Sequence, residues 1–531
     1  MCATFQRENR EIPPSPVRHG RAGCIGKAKR RNPMTNEDGK SDEIVVPAKQ
    51  PNEGRSVPEE VVEGRVSTMG NVHKRTTCRT QRRDQDVHDG LARVREVARR
   101  NRQERFTALL HHVTVERLGE AFSALSRSAA PGVDGVAWDD YARNVGANLR
   151  DLHARVQSGR YRAKPSRRVV IPKPDGGERP LGIAALEDKI VQRATAEVLN
   201  AVYETDFIGF SYGFRPGRSQ HHALDALAVG ILRNHVNWVL DVDIRGFFDA
   251  MDHGWLQRFV EHRIADKRVI ALILRWLRAG VVVDEQLVAA ERGSPQGATI
   301  SPLLSNVYLH YVFDLWAARW RRRAARGDMI IVRYADDIVV GFQHEADARR
   351  FRDELTARAG EFALELHAEK TRLLRFGKLA AIQRKSRGES KPETFDFLGF
   401  THICGKSRAG RFVLFRHTSR SRMQRRLRTV REDLMRHRHL PIPKQGKWIR
   451  QVVSGYFAYH AIPTNSARLA TFRNEITRAW RHALQRRSQR GQVAWSRMER
   501  LADRWIPRAR ILHPWPDERF DARTQGRSRV R

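Results

Sequence analysis

Residues 329–342, MIIVRYADDIVVGF, leave the backbone little choice. Two β-rich runs, MIIVRY and IVVGF, are separated by little more than Ala335, Asp336 and Asp337, which predicts a tight hairpin with the acidic pair at its tip. Adjacent carboxylates repel each other, and near a core such a pair is costly unless something positive lies beside it. Asp is also favoured in turns for its backbone hydrogen bonding, so the pair by itself is equally explained as a plain turn.

A second acidic site shifts that balance. Asp243 lies in NWVLDVDIRGFFDAMDH (237–253), which starts as a buried strand and bends into a helix near Gly246. Hard oxygen ligands delivered by two strands suit Mg²⁺, and two such ions serve in-line displacement at phosphate. The positive partner of the Asp pair is then metal.

The rest of the chain can be divided by pattern. Residues 1–88 mix Pro, Gly, Lys, Arg, Glu and Asn with few apolar residues and are expected to be disordered. Helical periodicity starts at about 89 and brings Val94, Val97, Phe106, Leu109 and Leu110 onto recurring faces. SAAPGVDGV (128–136) reads as a turn, and RRVVIPKPDGGERPLGI (167–183) as a hairpin whose turn is flanked by Lys173 and Arg179. Residues 255–278 look helical. RGSPQGATISPLLSNVYLHYVFDLW (292–316) runs from loop to helix, with Ser301 expected as N-cap and Pro302 in the first turn. Leu303, Leu304, Val307, Tyr311, Val312 and Leu315 would turn that helix to the core.

Charge points to the partner. The chain carries 98 Lys and Arg against 60 Asp and Glu, a net +38 that solubility does not require and that fits a polyanion. From Arg416 to Arg531 there are 29 basic and 8 acidic residues, so this minority of the chain holds more than half of the excess. Trp448, Trp480, Trp495 and Trp505 are interleaved there, a mixture suited to phosphate contact and base stacking, although any one Trp is more readily a core residue. Cys2, Cys24, Cys78 and Cys404 are too scattered for a disulfide framework or a CxxC metal site. No apolar run is long enough for a membrane span, and the first residues lack a signal-peptide core, so a cytoplasmic protein is expected.

YADD, DIRGFFD, SPQG and FDFLGF (395–400) occur in the order and approximate spacing of the palm motifs of reverse transcriptases. Together with SAAPGVDG, RPLGI, SYGFRPGRS (211–219) and VSGYFAYHAIPTN (453–465), the chain from about 90 to about 515 resembles a bacterial group II intron-encoded reverse transcriptase and maturase. The resemblance implies an α+β right-hand polymerase. Its fingers with N-terminal helices would span 89–235, a palm with an antiparallel sheet 236–415, and a helical thumb and maturase domain 416–515, followed by a basic tail at 516–531. It implies RNA-directed DNA synthesis with two Mg²⁺, for which Mn²⁺ is a possible substitute. The expected partners are group II intron RNA, a primer-template duplex, target DNA and dNTPs, with no membrane.

Carried over residue by residue, the resemblance makes Asp243, Asp336 and Asp337 the metal-binding and catalytic acids, with the Ile244 carbonyl completing a metal site. Phe248 matches the steric gate against a 2′-hydroxyl, where a core aromatic is the alternative and Phe247 beside it is read as core. Gln296 and Gly297 match the loop beneath the incoming nucleotide, or a simple turn. Lys173 and Arg179 resemble finger residues that clamp a triphosphate, or belong to a solvated hairpin. Lys370 resembles a late-palm lysine that protonates pyrophosphate. Arg215 would line the template path, and Tyr334 belongs to the nucleic-acid contact. Asp249 and Asp252 are read as local caps or support, and His222, His310 and His402 as ordinary core or surface residues. The ending HPWPDERFDARTQGRSRVR lacks the paired cysteines and histidines of an HNH endonuclease, so second-strand cleavage by that route is not expected. Two rival readings are an RNA-binding maturase without polymerase activity and a reverse transcriptase of a retron, diversity-generating or CRISPR adaptation system.

Overall fold

The computed structural model of the chain describes residues 81–172, 178–283, 286–289, 291–295, 297–389, 392–488 and 491–524, of which 81–89, 172, 178, 179, 381 and 522–524 are described as backbone only. The helix Gln81–Arg100 starts eight residues before the expected onset at 89 and packs on the long helix Leu186–Asp206. Val94 is buried there, but Val97 is exposed, because the apolar spacing of this arginine-rich helix supports only one narrow stripe.

The strands are β1 (Ser166–Pro172), β2 (Glu178–Ile183), β3 (Trp238–Val242), β4 (Val281–Val283), β5 (Gln286–Val288), β6 (Met329–Tyr334), β7 (Asp337–Phe342), β8 (Arg372–Arg375), β9 (Phe395–Phe397), β10 (Phe400–Lys406) and β11 (Phe412–Thr418). They form three sheets, ordered β2-β1-β4-β5, β6-β7-β3-β8 and β11-β10-β9. The β1–β2 pair is the expected hairpin, although its turn at 173–177 lies outside the described residues. The central sheet β6-β7-β3-β8 is antiparallel at every pairing. Its strands read as nearly continuous apolar runs because helices cover both faces: Gln220–Arg233 and Glu345–Glu361 each pack on it. This is the mixed helix and sheet class that the sequence predicts.

Two local expectations need correction. Residues 255–278 break into two helices, His253–Glu261 and Lys267–Arg278, because Asp266 caps the second by accepting from the Arg268 N–H. The same carboxylate accepts from the N–H groups of Leu109 and Leu110, which ties the N-terminal region to this corner. The helix Ser301–Leu309 has Ile300, not Ser301, at its N-cap; the Ser301 hydroxyl is drawn to Ser294 Oγ at 2.5 Å and the Pro295 carbonyl at 3.1 Å. Its expected apolar stripe is buried, and it continues through a π-helical turn, His310–Asp314, into a further helix, Leu315–Arg323.

Beyond β11 the chain is helical, as expected, in the helices Arg420–Arg436, Ile442–His460, Ser466–Gln485, Trp495–Trp505 and Pro516–Thr524. The first four share a separate apolar core with Trp480 fully buried in it, donating its Nε1–H to Gln445 Oε1 at 2.7 Å. Two details differ from expectation. β11 runs across the division placed at 415/416, and residues 516–524 form a docked helix rather than a tail. Phe520 is buried there, Arg519 approaches Asp225, and Asp521 pairs with Arg233 at 2.7 Å.

Candidate active site

The β6–β7 register pairs Tyr334 with Asp337, so Ala335 and Asp336 are the two residues of the turn. Ala335 takes φ +56°, a conformation that two-residue hairpins demand and that usually selects Gly or Asn. β3 pairs with β7 up to Val242 opposite Ile338, so Asp243 follows the last paired residue of β3 and Asp337 precedes its partner in β7. All three carboxylates are therefore gathered at one end of the central sheet, each half-buried. The Asp243 N–H reaches Thr371 Oγ1 at 3.3 Å, and the Asp243 carbonyl accepts from the His367 N–H at 2.8 Å. Ile244 forms an isolated bridge with Leu366, and Lys370 Nζ lies 4.0 Å from Asp243 Oδ2. The structure thus brings Asp243, Ile244, Asp336, Asp337 and Lys370 into one neighbourhood.

What fixes the acidic turn escaped the sequence reading. Arg333, fully buried, donates Nε–H to Asp314 Oδ1 at 2.7 Å and an Nη2–H to Asp314 Oδ2 at 2.6 Å. It also donates to Asn306 Oδ1, Ser211 Oγ and, at 3.0 Å, the carbonyl of Ala335 in the turn itself. Asn306 in turn donates to the Gly213 carbonyl at 2.8 Å. A Cβ on Gly213 would lie 2.2 Å from the Ala335 nitrogen, so the 211–213 segment rests directly on the turn only because residue 213 is glycine. The available signal was an arginine inside the otherwise apolar MIIVRY, which demanded a buried partner.

A second loop closes on the helical turn after Asp243. The Phe248 carbonyl accepts from the Ser294 N–H and the Met251 carbonyl from the Gly293 N–H, each at 2.8 Å. Phe248 is half-buried, with its ring edge-on to the core ring of Phe247. Asp252 caps the next helix by accepting from the Trp255 N–H, the supporting role expected of it. Gly297 has φ +112°, and a Cβ there would meet the Gly182 carbonyl oxygen at 2.6 Å. A glycine there lets the SPQG loop lie directly against the β2 backbone. Thr299 N–H donates to Gln192 Oε1 at 2.9 Å and holds the same loop from below.

The remaining predicted residues fare unevenly. Lys173 and Gln296 lie outside the described residues; Arg179 is in β2 opposite Ile171, described as backbone only. Arg215 does not line an open path: its side chain is buried, fork-paired with Glu204 at 2.9 Å, and bonded to the carbonyls of Ile208 and Ser211. It fastens the GFRPGR segment, whose template contact was the expectation. Tyr334 is half-buried, with its ring centroid 6.3 Å from that of Phe214. His310 and His402 are core residues, as read, and burial pushes them down to about 4 and about 3.

The donors suit a divalent cation of the Mg²⁺ type: hard carboxylate oxygens and a backbone carbonyl at a partly open rim. Among the described residues no three acidic, His or Cys side chains are drawn into a closed metal cage. Mg²⁺ bound by one or two carboxylates together with substrate phosphates does not require one.

Residues 171–402, which span all of these acids, match the family described as reverse transcriptase (RNA-dependent DNA polymerase). Protein YkfC of Escherichia coli is 36% identical over 273 residues, which cover 46% of this chain and 72% of YkfC. Group II intron-encoded protein LtrA of Lactococcus lactis is 33% identical over 213 residues, 37% of this chain and 35% of LtrA. The chain belongs to the group II intron reverse transcriptase and maturase family. This reverse transcriptase also resembles a 91 kDa protein in a cob intron of Schizosaccharomyces pombe, 39% identical over 155 residues, 29% of this chain and 19% of the relative. It spans about a third of LtrA and less of the cob intron protein. The family implies the right-hand polymerase fold and the enzyme class RNA-directed DNA polymerase. Among the described residues no helix is long and apolar enough to cross a membrane.

Proposed function

We propose that this reverse transcriptase binds a group II intron RNA, assists its splicing and copies it into DNA from a primer 3′ end. The observation that carries this reading is the strand register that puts Asp243 and Asp337 next to the paired Val242 and Ile338 at one end of the central sheet, with Asp336 in the adjoining turn. In this reading the sheet β2-β1-β4-β5 and the helices before it are the fingers, the sheet β6-β7-β3-β8 is the palm, and the helices from Arg420 onward are the thumb and maturase region.

Asp243, Asp336, Asp337 and the Ile244 carbonyl would hold two Mg²⁺. When bound, these supply Lewis-acid stabilisation of the attacking 3′-oxygen and of the leaving pyrophosphate. The chain's own side chains do the rest. Lys370, 4.0 Å from Asp243, would give a proton to pyrophosphate. Phe248, held through its own carbonyl by the Ser294 N–H, limits room at the sugar and so selects dNTPs. The Gly297 loop, with Gln296, Lys173 and Arg179, frames base and triphosphate. The net charge of +38 fits the hold on RNA and on the primer-template and target DNA.

The test is Mg²⁺-dependent dNTP incorporation on a primed RNA template by the parent and by the Asp336→Ala, Asp337→Ala double variant. Incorporation by the parent and its loss in the variant, with RNA binding kept in both, is expected. A parent that binds intron RNA tightly yet incorporates nothing would replace this reading with an RNA-binding maturase.

A further inference from the structure

The sharpest oddity near the acidic turn is Phe214. It is 42% exposed, although phenylalanine is ordinarily interior, and its φ of +55° is one that side chains with a Cβ rarely adopt. A loose loop would relax both features. This segment is not loose, because its neighbours on either side are pinned. On one side the Tyr212 N–H donates to the Arg333 carbonyl at 2.8 Å, and Gly213 lies against the backbone of Tyr334 and Ala335. On the other side Arg215 is buried and locked to Glu204 and to the carbonyls of Ile208 and Ser211. The strained residue between these anchors presents its ring beside Tyr334, 6.3 Å between centroids and tilted by 47°.

Strained backbone that its surroundings over-determine is characteristic of sites where the strain serves function. Here the strain holds an exposed aromatic ring beside the turn that carries Asp336. A duplex whose 3′ end reached that carboxylate would come near this ring. Resting on the reverse transcriptase reading above, we infer that Phe214, together with Tyr334, forms an aromatic platform that packs against the terminal base pair of the primer-template duplex. An aromatic face tolerates every base, as copying an arbitrary template requires. Phe214 is then a substrate-contacting residue that holds the primer end, with no part in the chemical step.

Glycine accepts a φ of +55° without strain, so Phe214→Gly removes the ring while relieving the backbone, and it keeps the fold where Phe214→Ala would not relieve it. The full-length protein would be titrated against a fluorescein-labelled DNA primer annealed to RNA, and against the single-stranded RNA alone. Thermal unfolding would be followed in parallel. For Phe214→Gly we expect hybrid binding and the KM for primer-template to weaken about ten-fold, with kcat changed less than about two-fold. Single-strand binding and thermal stability should not fall, and Phe214→Trp should bind as the parent does. Parental hybrid affinity in the glycine variant would overturn the inference, as would an equal loss on single-stranded RNA. An inactive parent would defeat the polymerase reading alone, because the binding comparison reads the platform without catalysis.

Discussion

Replacing Arg333 by methionine tests the claim that the acidic turn is braced from within. Arg333 and Asp314 are both fully buried, and the pair is joined by two bonds of 2.7 and 2.6 Å. Methionine has similar reach but no donor, so the Asp314 carboxylate would stay buried beside His310, which lies 3.9 Å away and which burial keeps neutral at ordinary pH. Breaking a buried pair from one side costs about 3–5 kcal/mol, because the remaining charge is uncompensated. That corresponds to roughly two to four orders of magnitude in the equilibrium for opening this part of the central sheet. The same substitution removes the donor to the Ala335 carbonyl and thereby loosens the turn. Urea unfolding should show the loss, and primer extension should fall further than stability alone explains. Arg333→Met combined with Asp314→Leu removes both charges, and most of the lost stability should return while extension stays low. The reasoning fails if the single variant is as stable as the parent, or if the double variant is no more stable than the single.

Two further outcomes follow from neighbouring geometry. Lys370→Leu should slow incorporation by about 100-fold, the lower range for a general acid, and a parental rate in this variant would remove Lys370 from proton transfer. His402, fully buried and stacked on Phe395 at 4.8 Å, is pushed by burial, and secondarily by Arg416, from 6.5 to about 3. Its folded state stays neutral while the unfolded chain takes up a proton, so its contribution is complete above about pH 6.5 and is lost progressively as pH falls toward 3. Between pH 7.5 and 5.5 this one residue should cost about 1.4 kcal/mol. His402→Phe should flatten the urea-midpoint dependence over that range, and an unaltered slope would refute the assignment.

The hairpin at 329–342 was legible because residue identity and spacing left no other local structure, and Asp243 because an acid in a β-rich run needs a reason to be there. The Ser301 cap was misplaced by one residue because the choice depended on Ser294 and Pro295, contacts that local sequence does not specify. Arg215, given a template role by resemblance alone, is fastened to Glu204 on another element, a contact that the letters GFRPGRS do not specify. Arg333 and Gly213 were missed because their value lies in what they touch: a carboxylate 19 residues earlier in one case and the turn backbone in the other. Motif letters name the groups at the chemistry, but the partners that hold them are set by tertiary contact.

The placement of charge around the turn has a physical logic. A catalytic acid cluster must be rigid, yet it must not be neutralised by its own protein, or cations would gain nothing by binding there. In this chain the rigidity comes from behind: Arg333 spends its donors on Asp314, Asn306, Ser211 and the Ala335 carbonyl. At the front, Lys370 Nζ stands 4.0 Å from Asp243 Oδ2, beyond hydrogen-bond range. An arginine that instead turned its fork onto Asp336 would quench the site it supports. Burying that arginine and anchoring it on Asp314, carried inward by the π-helical turn His310–Asp314, keeps its charge on the far side of the turn.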